Sequence, residues 1–247
     1  LEEYYMADEK VALIVGAGNA TGGAVAKRFA LEGFSVCVTR RNRDKLDTLV
    51  SEIEADGGSV YPFGSDARRE DQVEALINEI ETSIGPIEVA VYNVGGNVRF
   101  SILETTSRVY FKVWEMACFG GFLLGREVAK RMVTRKQGTI IFTGATASLR
   151  GGDGFAAFSG GKHALRALAQ SMARELSPKG IHVAHVIIDG AIDTEWIAEM
   201  FPERYKLKDK DGILNPNHIA EMYWQLYNQH RSAWTFELDM RPWIEKF

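Results

Sequence analysis

Lys162 follows Phe158 by four residues in FSGGK, at the start of a helical run, so the two share a helix face. The ammonium of Lys162 can hold an anion or hydroxyl groups. The ring of Phe158 has no ionisable hydrogen and cannot supply a reaction that needs a proton. His163, with an unperturbed pKa near neutrality, is a tempting substitute acid, but one helical step turns it about 100° from Lys162. Asp189, beside Gly190, could anchor a cationic substrate, relay a proton or cap a turn. Cys118 could be a reactive thiol or, as free cysteines usually are, a small buried hydrophobe. Near the other end, GAGNATGG at 16–23 follows an apolar run and leads directly into a helical pattern. Strand, glycine turn and helix in that order make a phosphate cradle, because backbone approaches the anion closely and the helix N-terminus offers unpaired N–H groups.

The elements that must position these groups alternate along the chain. Apolar runs of strand length cover 11–15, 35–39, 60–63, 88–93, 138–143, 181–188 and 235–238, and helical patterns cover 22–31, 43–56, 70–83, 109–136 and 160–176. Several runs are near-continuously apolar, as strands covered on both faces should be. Gly33, the Gly57 and Gly58 pair, and Gly85 with Pro86 end the first helices. This alternation predicts one domain with a parallel sheet, helices on both faces and right-handed crossovers. Only 193–217, densely charged at 206–211, reads as irregular. His182 and His185 read as packing or surface residues, and the aromatic tail WTFELDMRPW at 234–243 suits a two-fold contact or ordinary core.

Composition narrows the function. A chain of 247 residues, 46% hydrophobic, can bury one sizeable core. A net charge of −4 and a pI of about 5.8 leave no footprint for nucleic acid. No apolar run approaches the roughly 20 residues that span a bilayer, and no basic-then-apolar secretory signal is seen. Cys37 and Cys118 are too few for a disulfide framework and lack metal-ligand spacing. These features predict a cytoplasmic protein that handles a small molecule, without metal, nucleic-acid or membrane partners. Residues 1–9 read as an N-terminal extension, with 1–5 a remnant of expression and Met6 a natural start; 10–247 reads as the domain.

Further motifs come in a telling order. Arg40, Arg41 and Arg43 close the second strand in TRRNR, Asp66 and Ala67 follow the third, and YNVGG at 92–96 ends the fourth. From about Lys10 onward, this series resembles the short-chain dehydrogenase/reductase family. The resemblance implies an α/β fold, a single-domain Rossmann-type doubly wound parallel sheet of about seven strands. It also implies an NAD(P)-dependent oxidoreductase that forms a homodimer or homotetramer. By resemblance, Gly16, Gly18, Asn19 and Gly22 hold the pyrophosphate, and Asp66 and Ala67 meet the adenine. Asn93 and Gly95 survive from the family's N-N-A-G, and Ile192 and Thr194 meet the carboxamide and phosphate. Val15, Ala20, Tyr92 and Val94 depart from the family pattern, and the Ala20 methyl would push the phosphate outward or demand a shifted loop. A cofactor without a 2′-phosphate usually meets an acid at the end of the second strand. Arg40 stands there with Arg41 beside it, and guanidinium matches phosphate. NADP(H) is therefore the preferred cofactor, with NAD(H) left open.

The family has Tyr-x-x-x-Lys where this chain has Phe158 and Lys162. Thirteen residues before Phe158, the family's serine falls on Ala145 in FTGATAS, and its asparagine aligns with Cys118 in ACFGG. The resemblance thus implies a degenerate catalytic set in which Lys162 alone is kept, bonding the nicotinamide ribose hydroxyls. In a shifted register, Thr143, Thr146 or Ser148 would present the missing hydroxyl. Three functions are compatible: a reductase whose acceptor needs little acid assistance, an NADP(H)-holding sensor or assembly module, and a structural subunit that has lost the cofactor.

Overall fold

The structure, a computed structural model, describes residues 9–245. All but the last residue of the predicted N-terminal extension, including its start at Met6, lies outside them. Seven parallel strands form one sheet: β1 Val11–Val15, β2 Ser35–Arg40, β3 Ser59–Gly64, β4 Ile87–Tyr92, β5 Thr139–Thr143, β6 His182–Ile188 and β7 Glu237–Met240. Their order is β3-β2-β1-β4-β5-β6-β7. The chain winds outward from β1 to β3, then returns to the other side of β1 for β4. The crevice beyond the C-terminal ends of β1 and β4 is therefore the switch point, where ligands of such sheets bind.

β1, β5 and β6 are buried along their whole length, because helices cover both sheet faces. On one face α3 (Glu70–Ser83), α5 (Gly120–Arg135) and α6 (Ala156–Leu176) contribute Ile77, Ile80, Leu123, Val128 and Leu165 to the core. On the other, α1 (Thr21–Leu31), α2 (Asp47–Ala55) and α9 (Pro216–Tyr227) contribute Val25, Phe29, Ile53, Ile219 and Tyr223. Burial of each such aliphatic side chain is worth about 1.5–3 kcal/mol.

Three elements differ from the sequence expectation. The last strand is displaced from 235–238 to Glu237–Met240. Thr235 is drawn out of it, its N–H donating to Gln229 and its carbonyl bonded by the His182 ring. Helix α9 grows out of the stretch expected to be irregular. Asn215 caps it, accepting from the Asn217 N–H at 2.8 Å, and Pro216 fills its first position. The single helix expected over 109–136 is divided: α4 (Ser107–Trp114), a π-turn at Glu115–Phe119, then α5. A π-turn leaves a carbonyl without its usual partner, and the buried Tyr92 hydroxyl donates to the Met116 carbonyl at 2.5 Å. The rest of the 193–217 stretch forms α7 (Glu195–Met200), α8 (Pro202–Tyr205) and a 3-10 turn at Lys206–Lys210. Among the described residues, no helix is long and apolar enough to cross a membrane.

Candidate active site

A cleft of about 770 Å³ opens at the switch point. Its floor joins the turns that follow β1 and β4: the Asn93 N–H donates to the Val15 carbonyl at 2.8 Å, and its side-chain amide to the Gly16 carbonyl at 3.1 Å. Gly16 has φ +90°, and a Cβ there would lie 2.8 Å from the Asn93 carbonyl oxygen. A Cβ on Gly22 would lie 2.8 Å from Ala17 Cα, so these two glycines let strand, turn and helix close on one another. Gly18 differs, because a Cβ there meets nothing within 4 Å. That bare backbone faces the cleft, beside the N-terminus of α1 with its unpaired N–H groups. Thr21 in the first turn has a buried hydroxyl with no hydrogen-bond partner. Open glycine backbone, a helix N-terminus and an unsatisfied hydroxyl together fit a nucleotide pyrophosphate. Ala20 stands at the N-cap of α1, with its carbonyl accepting from the Ala24 N–H at 2.9 Å.

A second hollow of about 170 Å³ adjoins this turn and is lined by Arg40, Arg41, Asp66, Ala67 and Gly95, among others. Arg40 donates to the Lys45 carbonyl at 3.1 Å, which leaves most of its guanidinium donors free. Asp66 is held by Arg68 at 2.5 and 2.9 Å, and these bonds keep its carboxyl below the ordinary range. Asn19 and Ile192 also line the cleft. Thr194 instead caps α7, its hydroxyl accepting from the Ile197 N–H at 3.2 Å.

The α6 face brings Phe158 and Lys162 to the cleft wall. Lys162 is 2% exposed; its ammonium donates to the Thr143 carbonyl at 2.7 Å and, more weakly, to the Val94 carbonyl at 3.4 Å. Burial brings its pKa down from 10.5 to about 8. The ammonium lies 5.9 Å from the Phe158 ring centroid. Phe158 packs in an apolar cluster with Val113 and Ala147, which Ala145 and Phe155 join from the edge. Cys118, carried on the π-turn, is buried. Burial raises its thiol pKa, and the nearby charge of Lys162 offsets this only in part. His163 is exposed, its Nδ1 bonded to the Ser159 carbonyl, as the helical step requires.

The hydroxyls that a shifted register would offer all have other partners. Thr143 is bonded to the buried Tyr223 hydroxyl at 2.7 Å, Thr146 donates to Asp189 at 2.6 Å, and Ser148 accepts from the Ala145 N–H at 3.1 Å. Asp189 is 1% exposed and closed off by Thr146, Arg150 and Arg241, which removes it as an anchor for a cationic substrate. His182 stacks on Trp234 with ring centroids 5.0 Å apart, and His185 bonds Glu237. Both histidines belong to packing. Burial lowers the His185 pKa to about 4. In the aromatic tail, Trp243 is 78% exposed and donates to the Lys210 carbonyl at 3.0 Å. Sequence reasoning missed Arg150, Trp196, Phe201 and Arg204, all on the cleft wall. No local pattern marks them, because only the fold brings Arg150 and the residues of α7 and α8 to one cleft.

Comparison with known proteins agrees with this geometry. A crystal structure of a short-chain dehydrogenase from Rhodopseudomonas palustris is 51% identical and superposes with a TM-score of 0.82, covering 96% of this chain and all of that one. A 2-dehydro-3-deoxy-D-gluconate 5-dehydrogenase from Formosa agariphila is 30% identical over 70% of this chain, which spans 66% of that relative's length. More distant solved structures share the fold. They include a metagenomic short-chain oxidoreductase in complex with NADP (24% identical over 94% of this chain and 97% of that one, TM-score 0.81) and an NAD+-bound xylitol dehydrogenase (21% over 94% and 98%, TM-score 0.86). Neighbours of this fold thus take either nucleotide. The seven-stranded sheet, the glycine turn at its switch point and Lys162 on α6 lie in a chain that matches the short chain dehydrogenase family model over residues 10–204, and the protein belongs to that family of oxidoreductases.

Proposed function

We propose that this protein is an NADP(H)-dependent oxidoreductase with a degenerate catalytic set. In this reading it serves acceptors that need no proton donor from the protein, such as an iminium or a polarised alkene protonated by water. The observation that carries this is the apolar wall. Phe158, Ala145 and Ala147 cluster where a carbonyl would need a phenol and a hydroxyl, while the neighbouring hydroxyls of Thr143 and Thr146 are engaged elsewhere and that of Ser148 is fully buried. When bound, the nicotinamide supplies or accepts the hydride. The chain's own residues hold and orient: Gly16, Gly18, Asn19 and Gly22 receive the pyrophosphate, and Lys162 the ribose hydroxyls. Asp66, Ala67 and Gly95 lie on the adenosine side, with Asn93 in the floor between and Ile192 at the nicotinamide end. Arg40 and Arg41, beside the smaller hollow, favour a 2′-phosphate and so NADP(H) over NAD(H). The two free thiols suit a cytoplasmic setting.

A second reading, a non-catalytic NADP(H)-holding assembly module, is favoured by one surface. Phe111, Trp114, Phe119 and Phe122 stack in a stripe with centroids about 6 Å apart, and Phe111 is 56% exposed. A homodimer or homotetramer would cover it. Calorimetric titration with NADPH and then NADH, followed by an acceptor panel, separates the readings. Preferential NADPH binding with oxidation by iminium or activated-alkene acceptors, but not by simple ketones, is expected. Rapid turnover of simple ketones refutes the first reading, and tight binding with no turnover on any acceptor favours the second.

A further inference from the structure

The wall opposite the glycine turn has a charge character that the cofactor does not account for. Among the described charged residues lining the cleft, Arg150, Lys162 and Arg204 are cationic and Glu245 alone is anionic. Lys162 is committed to backbone carbonyls, and Arg204 is paired with Glu245. Arg150 is different. Its side chain is 45% exposed, and its two contacts to Asp189 are long, at 3.3 and 3.4 Å. Charge-assisted bonds in good geometry run about 2.7–2.9 Å. Asp189 does not depend on it, since the Thr146 hydroxyl at 2.6 Å and Arg241 at 3.4 Å also reach that buried carboxylate. Arg150 therefore presents a loosely held guanidinium to the cleft, with donors to spare. Much of the same lining is apolar, with Phe155, Phe158, Trp196, Ile197 and Phe201.

Building on the reading that the nicotinamide shares this cleft, we infer that the substrate is a carboxylate with an apolar or aromatic body. Its acid group is held by Arg150 and its body lies against Phe155, Phe158 and Trp196. One planar fork suits one carboxylate. The aromatic faces take the rest of the molecule and set its depth relative to the nicotinamide end. Asp189, Thr146 and Arg241 act as positioning residues that limit where the guanidinium can swing.

The test uses a matched pair, 4-phenylbutyrate and its neutral amide, titrated calorimetrically into the protein alone and into the protein saturated with NADPH. The acid is expected to bind at least tenfold more tightly than the amide. That preference should fall below threefold in Arg150→Gln and be partly restored in Arg150→Lys, with thermal melting as the control for folding. Equal binding of acid and amide, or a preference that survives Arg150→Gln, overturns the inference. So does a preference that responds only to Arg204→Gln. If Arg150→Gln does not fold, Arg150→Lys carries the test, and an undiminished preference with undiminished affinity for the acid counts against the inference. Failure of wild-type protein to bind NADPH would sink the functional reading alone, because the titration without cofactor still reports on Arg150.

Discussion

Replacing Lys162 by methionine isolates what a buried ammonium costs this fold. In the folded protein the amine loses its proton near pH 8, whereas in the unfolded chain it keeps it to 10.5. Between those values the unfolded state binds more protons, so the stability of the wild type rises with pH relative to a variant without the group. At about 1.4 kcal/mol per pH unit, the rise amounts to about 3 kcal/mol between pH 8 and 10.5. Below pH 8 the whole cost is present and the difference between the two proteins should be flat. Lys162→Met also abandons the bond to the Thr143 carbonyl, worth about 1.5–3 kcal/mol for a charged donor, but that loss only offsets the curve. Urea denaturation of both proteins from pH 7 to 10.5, without ligand, measures the difference; other titrating groups cancel between them. A wild-type minus variant difference that changes by less than about 1 kcal/mol over this range, outside the usual extrapolation error, would refute the claim that burial dominates the Lys162 environment. With NADPH present at pH 8 to 9, ribose hydroxyls at the ammonium should raise its pKa. Binding should then take up protons in the wild type but not in the variant, which calorimetry in buffers of different ionisation enthalpy detects.

Three further substitutions probe the rest of the site. Gly18→Ala places a methyl where the protein has open space, so the melting temperature should hold while NADPH affinity falls by about tenfold or more; unchanged affinity would mean that the pyrophosphate does not lie over this turn. Arg40→Asp should cost about 1.5–3 kcal/mol of NADPH binding, the range for a hydrogen bond to a charged group, and should improve NADH. Parallel titrations showing no change in the ratio would remove Arg40 from 2′-phosphate recognition. Phe158→Tyr alone should leave simple ketones unreduced, because Ala145 withholds the second donor, and its unpartnered hydroxyl should lower stability by about 1–3 kcal/mol. Only Phe158→Tyr with Ala145→Ser should turn over a ketone, so a large gain from the single change in steady-state assays would contradict the reasoning.

The parts of the protein that were legible in its sequence are those set by local rules. β1 and α3 occupy the expected residues because a continuous apolar run and an acid-rich helix start are local signals. The glycine turn was legible because the positive φ of Gly16 and the crowding at Gly22 are demands on single residues. Elsewhere the deciding partner lies far along the chain. The π-turn that carries Cys118 is supported by Tyr92, 24 residues earlier, so a 3.6-residue period ran straight through it. Asp189 meets Arg150 and Arg241, and neither spacing suggests contact. Asn215 and Pro216 did mark the start of α9, and the dense charges just before them masked that signal.

The choice of acceptor follows from removing proton donors one by one. His163 faces solvent, and the Cys118 thiol has its pKa raised, which makes it a poorer acid as well as a rarer thiolate. The Thr146 hydroxyl gives its proton to Asp189, the Thr143 hydroxyl pairs with Tyr223, and Ser148, which accepts from the Ala145 N–H, is fully buried and does not line the cleft. Asp189 is 1% exposed and meets the cleft through Thr146, whose only hydroxyl proton already points at it, and through Arg150. Lys162 commits two of its three N–H donors to the Thr143 and Val94 carbonyls and has one left for a ribose. In the proposed reading, a ketone that received a hydride here would carry its alkoxide against the ring of Phe158, which has no proton to give. An iminium is neutralised by the same hydride, and a polarised alkene places its charge on a substituent that can extend to water at the cleft mouth. In the proposed reading, a wall that disfavours the first acceptor accommodates the other two, and a phenylalanine in place of a phenol changes the class of acceptor while leaving the hydride step itself available.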